Sequence, residues 1–407
     1  MLIVGYCWHV GNVIGRYCLL RKIGEGGMGE VWLAEQKEPV RRSVALKLVK
    51  AGMNTRAVIA RFESERQALA LMGHPAIAKV FDAGSTPQGA PYFVMEYVAG
   101  IPVTAYCDDN RLSIRQRLEL FMRVCEGVQH VHRKAIIDRD LKPSNILVVE
   151  MDGRAVPKII DFGVAKALTE NPTTDTLLTC TGMLIGTPQY MSPEQAGSDI
   201  DTRTDVYSLG FVLYELLAGV HPLELRKIAF DELLRRLREE EPAKPSSKIL
   251  SQDRAASVEI AHKRQTDPVT LARWMRGDLD SITLKALEKD RSCRYGSPSD
   301  FAADIHRYLR NEPVLAIPPS PAYRAREFAR RYRAAMVPPP RDAMYRSLWV
   351  PGGRAEPFFP LCPRRSSWIR RLRAGAGLPA PWVAASAPSG IILIRSRHYA
   401  SPWRAAC

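Results

Sequence analysis

The chain of 407 residues lacks the marks of several large protein classes. Its eight cysteines, at positions 7, 18, 107, 125, 180, 293, 362 and 407, contain no C-x-x-C pair and no ligand-like spacing to histidine. That argues against a disulfide framework and against a zinc site, so a reduced, cytoplasmic setting is the expectation. No stretch approaches the ~18–20 apolar residues of a membrane helix; the nearest, around 391–394, is far too short. The opening MLIVGYCWHV has neither a basic leading region nor a small-residue cleavage site, so it does not read as a signal peptide. Internal repeats are absent. Lysine disappears after Lys289.

What remains is ordinary for a globular protein: 46% hydrophobic and 25% charged residues, with length for about two or three domains. The net charge of +15 invites thoughts of nucleic acid or acidic membrane, but it is unevenly spread. From position 341 onward eleven arginines face only Asp342 and Glu356, so this tail supplies roughly +9 of the total. The charge therefore says little about the first 340 residues. Residues 17–98 read as strands plus one helix, and 100–312 as mostly helical, with a Pro/Ser linker after the charged helix DELLRRLREEE. Beyond 313 prolines interrupt every pattern.

Three stretches carry chemistry. In IGEGGMGEVWLAE, Gly24, Gly26 and Gly29 have G-x-G-x-x-G spacing. Val31 and Leu33 alternate with Trp32 and Ala34, so the run continues as a strand rather than opening a helix. That favours a hairpin whose loop (Gly24, Glu25, Gly26, Gly27, Met28, Gly29) covers phosphates, with a plain surface hairpin as the alternative. In SVALKLV, Lys47 shares a face with Ala45 and Val49, and an ammonium buried there needs an anion. Glu65, in the helical pattern RFESERQALALMGHP, is one candidate; unrelated surface charges are the alternative. The third stretch, IIDRDLKPSNILV, sets Asp138, Arg139, Asp140, Lys142 and Asn145 between apolar runs. It is either a solvated turn or a site. The strands 146–149 and 156–160 around Asp152-Gly153 read as a hairpin, which brings Asn145 beside Asp161.

Taken in order, GEGGMGEV, VALK, a helix with Glu, DRDLKPSN, DFG and SPE resemble the eukaryotic-type protein kinases, most closely their bacterial serine/threonine branch, over residues 17–312. The resemblance implies an α+β, two-lobed fold: a small β-rich lobe with one key helix (17–98) and a larger, mostly α lobe (99–312). An extension (1–16) precedes them and an irregular basic tail (313–407) follows. It further implies ATP and Mg²⁺ as cofactors. Asp140 would receive or orient the substrate hydroxyl proton, and Lys142 would steady the γ-phosphate. Asn145 and Asp161 would hold metal, and Lys47, paired to Glu65, would grip the α- and β-phosphates. Val31, Ala45 and Leu147 would sandwich the adenine, Met95 would be the gatekeeper, and the backbone of Glu96 and Val98 would read the base edge. Glu194 would pair with Arg294, and Asp205 would anchor the catalytic loop. Arg139 would meet a phosphothreonine, Thr179 or Thr181 before Thr176, and Thr187 in GTPQY marks the Ser/Thr branch.

One position departs from the family: Asp138 stands where H-R-D has histidine, adding negative charge near Asp140 and Asp161. The reading adopted is a protein serine/threonine kinase that also phosphorylates itself, with self-association for that purpose. The rival is a nucleotide-binding scaffold disabled at Asp138. For the tail, contact with nucleic acid or acidic membrane is the lesser alternative to a solvated segment. Relatives commonly carry a membrane span after a basic helix, read here as PAYRAREFARRYRAA (321–335); the tail is either that of a soluble kinase or an altered C-terminal reading of a receptor-like one.

Overall fold

A computed structural model describes residues 8–26, 29–49, 73–161, 188–196, 200–223 and 230–317. The chain divides into two units, 1–337 and 338–407, and every described residue belongs to the first. Alternating apolar residues build an antiparallel sheet from β1 (Val13–Ile14), β2 (Tyr17–Gly26), β3 (Gly29–Gln36), β4 (Arg42–Val49), β5 (Val80–Ser85) and β6 (Pro91–Glu96). Its strand order is β1-β2-β3-β4-β6-β5. Strand β4 is buried on both faces. Val44, Leu46 and Leu48 pack with Leu19, Trp32 and Val94 in a core confined to the sheet. Ala45 and Val49, on the opposite face, join the core that continues into the helices. Lys47 lies on that second face, only 7% exposed.

A second sheet, order β7-β8-β9, is formed by β7 (Ile101–Pro102), β8 (Ile146–Met151) and β9 (Arg154–Ile159). Met151 pairs with Arg154 across Asp152 and Gly153, whose φ values of +50° and +71° make the two-residue turn of a tight hairpin. Ile159 exchanges backbone hydrogen bonds with Ala76 (2.8 Å) and Ala78 (2.9 Å), which ties this sheet to the segment leading into β5.

The larger part is helical: α1 (Val103–Asp109), α2 (Ile114–His132), α3 (Arg203–Ala218), α4 (Phe230–Glu239), α5 (Pro245–Leu250), α6 (Arg254–His262), α7 (Pro268–Met275), α8 (Asp278–Ala286) and α9 (Pro298–Leu309). Helix α2 opens on a capping box between Ser113 and Gln116. Helix α3 is apolar almost all round and lies in the middle of the core. Its last carbonyls, those of Glu215, Leu216 and Leu217, accept hydrogen bonds from the buried Arg264 guanidinium at 3.2, 2.9 and 2.6 Å. Burial and the neighbouring Arg117 charge push Arg264 down to about 9, while four hydrogen bonds to carbonyls, three at the end of α3 and one to Ile260, use its donors there. The Pro/Ser stretch after α4 is not the linker its composition suggested. Pro245 sits in the first turn of α5, where its missing N–H costs nothing, and α6 follows at once. After α9 the chain returns: the Asp304 carboxylate accepts the Leu315 and Ala316 N–H groups at 2.6 and 2.9 Å.

Candidate active site

Between the six-stranded sheet and the helical body lies a cleft of about 680 Å³. The β2–β3 hairpin forms its roof. Gly24 faces Val31 in register and Gly26 faces Gly29. Gly29 has φ +152°, and a Cβ there would stand 1.9 Å from the Leu48 carbonyl oxygen, so only glycine fits. At Gly26 a Cβ would meet nothing within 4 Å, which leaves the backbone open to a ligand. Val31 and Ala45 line the ceiling, Leu147 the floor, and Met95, Glu96 and Val98 the back where the sheet passes into the helical body. The Glu96 N–H is already given to the Lys79 carbonyl at 2.8 Å, so a base edge there would be met by the Glu96 carbonyl.

The polar groups converge at one end. Lys47 Nζ donates to both Asp161 oxygens, at 2.5 and 2.6 Å, from positions 114 apart in the chain. Strand β4 delivers the lysine and the end of β9 delivers the aspartate, which takes a left-handed φ of +59°. The hairpin β8–β9 begins at Asn145, and Ile160 N–H bonds to the Asn145 carbonyl at 2.8 Å, which sets Asn145 beside Asp161. Asn145 Nδ2 donates to the Asp140 backbone oxygen (2.9 Å) and to its Oδ2 (3.3 Å). Lys142 Nζ donates to the same Oδ2 at 2.8 Å. With its amide nitrogen so engaged, Asn145 offers its amide oxygen, and Asp161 offers a carboxylate. Two hard oxygen ligands suit Mg²⁺, which takes few protein ligands and completes its shell from phosphate and water. Among the described residues no cluster of three or more His, Cys, Asp or Glu forms a dedicated metal cage.

Residues behind the cleft hold this arrangement. Asp205, fully buried at the start of α3, accepts the N–H groups of Asp138 and Arg139, each at 2.9 Å. It also lies 2.7 Å from His132 Nε2. Arg139 takes φ +64°, and its carbonyl accepts from Gln195 Nε2 at 2.9 Å. Arg294 and Glu194 form a two-pronged ion pair at 2.7 and 2.8 Å, with the arginine side chain wholly buried. Burial would raise the Glu194 carboxyl, but the Arg294 hydrogen bonds and charge outweigh it and hold it below its ordinary value.

Of the residues singled out from sequence, Gly24, Glu25, Gly26, Gly29, Val31, Ala45, Lys47, Met95, Glu96, Val98, Asp140, Lys142, Asn145, Leu147 and Asp161 line this one cleft. Arg139 stands beside it, next to Asp140, with its N–H on Asp205. Gly27, Met28, Glu65, Thr176, Thr179, Thr181 and Thr187 lie outside the described residues. The structure adds Lys22, Tyr97 and Ser144 to the lining, and behind it His132 and Lys158. Lys158 Nζ bonds both Glu96 carboxylate oxygens, at 2.8 and 3.0 Å. A lysine within the apolar strand AVPKII carries the same signal as Lys47 in its strand, so it was open to the same argument.

The protein kinase domain family matches residues 17–299. Serine/threonine-protein kinase PknB of Mycobacterium tuberculosis is 35% identical over 310 residues, covering 74% of this chain and 44% of that protein. Serine/threonine-protein kinase Pkn1 of Myxococcus xanthus is 33% identical over 296 residues, covering 72% of this chain and 38% of the relative. The chain thus spans less than half the length of these curated relatives. Among solved structures, the Mycobacterium tuberculosis PknI kinase domain matches with a TM-score of 0.51 at 24% identity, over 74% of this chain and 100% of that one. A point mutant of that domain matches with 0.52 at 25% identity, over 75% and 100%.

Proposed function

We propose, from the premise that this chain belongs to the protein kinase domain family, that it transfers the γ-phosphoryl group of ATP to serine and threonine hydroxyls of proteins, itself included. The observation that carries the reading is the meeting of Lys47, Asp140, Lys142, Asn145 and Asp161 in one cleft under a glycine hairpin. Phosphoryl transfer needs little covalent help from the protein; it needs the in-line geometry held and the charge neutralised. The substrate oxygen bonds to the γ-phosphorus as the bond to the β-phosphate oxygen breaks, ADP departs, and the hydroxyl proton passes to Asp140. Lys142, already on Asp140, neutralises charge on the transferred group. Lys47 holds the α- and β-phosphates. Asn145 and Asp161 are the residues that would hold Mg²⁺, which supplies charge neutralisation when bound. Val31, Ala45 and Leu147 enclose the adenine, with Met95 behind it and the Glu96 carbonyl and Val98 backbone on its edge.

The catalytic unit in this reading is 17–98 plus 99–312, between the extension 1–16 and the basic tail 313–407. Phosphothreonine at Thr179 or Thr181 would pair with Arg139 and order the segment before SPE, and self-association would allow one copy to act on another. The tail is read as solvated. Among the described residues no helix is long and apolar enough to cross a membrane.

The test is transfer from γ-labelled ATP with Mg²⁺. Wild type should label a generic protein acceptor and itself, with mass spectrometry placing phosphate on Thr179 or Thr181. Asp140→Asn should lower the rate by at least about a hundredfold. Equal labelling by both proteins would overturn the reading.

A further inference from the structure

We infer that Asp138, the residue that departs from the family pattern, is a positioning residue for Asp140: its carboxylate takes over the fixing of the catalytic loop from within. The inference rests on the phosphotransfer reading for its effect on turnover, but not for the contact itself. Asp138 is 1% exposed, and its Oδ1 accepts the N–H of Asp140 at 3.2 Å. This is an aspartate bonding the backbone two residues on, a local turn that short acidic side chains form readily. The two preceding amides, of Asp138 and Arg139, end on Asp205 at 2.9 Å each. Three successive N–H groups are therefore taken by two buried carboxylates. No backbone ladder is available to them, because Arg139 at φ +64° turns the chain out of any regular path.

The consequence is felt at Asp140. Its carbonyl accepts from Asn145 Nδ2 at 2.9 Å and its Oδ2 from Lys142 Nζ at 2.8 Å. Among these holds Asp138 supplies the one on the N–H, so the backbone of the proton acceptor is gripped on both sides. Removing it takes away the hold on the Asp140 N–H side of the 139–140 peptide and leaves the Gln195 contact on its Arg139 carbonyl side. The side chain thus serves geometry at the reacting atoms, where small displacements are costly. The same substitution that looked disabling from sequence is, on this reading, built into a working loop.

Asp138→Ala removes the acceptor and Asp138→Asn keeps it at Oδ1. The alanine variant should lose on the order of tenfold to a hundredfold in kcat with the KM for ATP changed by less than about twofold. The asparagine variant should retain at least about half of wild-type kcat. Hydrogen–deuterium exchange of the 136–142 segment, read without nucleotide, should show the Asp140 amide slow in wild type and Asp138→Asn and fast in Asp138→Ala, with α3 protected equally in all three. Wild-type kcat in the alanine variant, or equal losses in both variants, would overturn the inference. So would an Asp140 amide that exchanges at the same rate in wild type and Asp138→Ala. If wild type transferred no phosphate, the proposed function would fail while the exchange experiment still decided the contact.

Discussion

A lysine inside an apolar strand is tolerable only when its charge is met, and among the described residues two lysines meet this in different ways. Lys47, 7% exposed, ends on Asp161, and Lys158, 8% exposed, ends on Glu96. The first pair lies at the end of the cleft proposed to take the phosphates. The second lies behind the connection whose backbone is proposed to border the adenine, and Glu96 Oε2 also accepts the Lys79 N–H at 3.1 Å. Lys158 therefore ties β9, which leads to Asp161, to the segment that would read the base. Lys158→Met should raise the KM for ATP about tenfold with little change in kcat, and Glu96→Gln should do much the same. Steady-state kinetics of the two single variants and the double should show that the double is no worse than either alone; additive losses would separate the two residues. His132 presents the opposite case at this scale. Its partner Asp205 is 73 positions away, and nothing in the local pattern marks it.

Among the elements, the β2–β3 hairpin depends on one glycine more than on the others. Gly24 and Gly26 have room for a side chain, whereas at Gly29 a Cβ would strike the Leu48 backbone. Gly29→Ala should force β3 off β4, lowering Tm by several degrees and nucleotide affinity with it, while Gly26→Ala should leave Tm within about 1 °C of wild type. Differential scanning fluorimetry separates the two. A second element-level contact is the pair between the 3₁₀ turn Pro193–Ala196 and Arg294, which follows the turn Arg291–Cys293. Glu194→Gln strands a buried guanidinium and should cost about 3–5 kcal/mol at neutral pH. The sign of the pH effect follows from the depressed carboxyl. Its contribution is present above the ordinary carboxylate value of 4.5 and is lost as pH falls from there through the folded-state value. Urea unfolding from pH 7 to pH 3 should show this acid loss in wild type and a flatter limb in Glu194→Gln.

At the scale of the molecule, the six-stranded sheet has a private core on one face and shares the helical core on the other, and the cleft opens along that shared face. A nucleotide there would touch both the sheet and the helical body, so its binding should stabilise the whole catalytic unit. ATP with Mg²⁺ at about a hundredfold its Kd should raise Tm by about 5 °C. Chelation with EDTA should cut that rise, and Lys47→Met should cut it further. An unchanged Tm at saturating nucleotide would count against the cleft as a nucleotide site.

The local features were legible because their causes are local. Strand alternation around Val31 and Lys47, the glycine at position 29 and the Asp152-Gly153 turn each follow from period-two burial or from a positive φ. The order of six short motifs carried the family and, through it, Asp205 and the Glu194–Arg294 pair. The Pro/Ser stretch misled because proline ends helices and also begins them, and only the packing around α5 chooses. Tertiary structure alone decided that Lys47 rests on Asp161, that Lys158 serves Glu96, and that Asp138 turns inward to the Asp140 amide. Periodicity sets which face of a strand or helix is buried. Which charge meets which across a core depends on how those faces are stacked, and that stacking is fixed by shape complementarity between segments remote from one another in the chain.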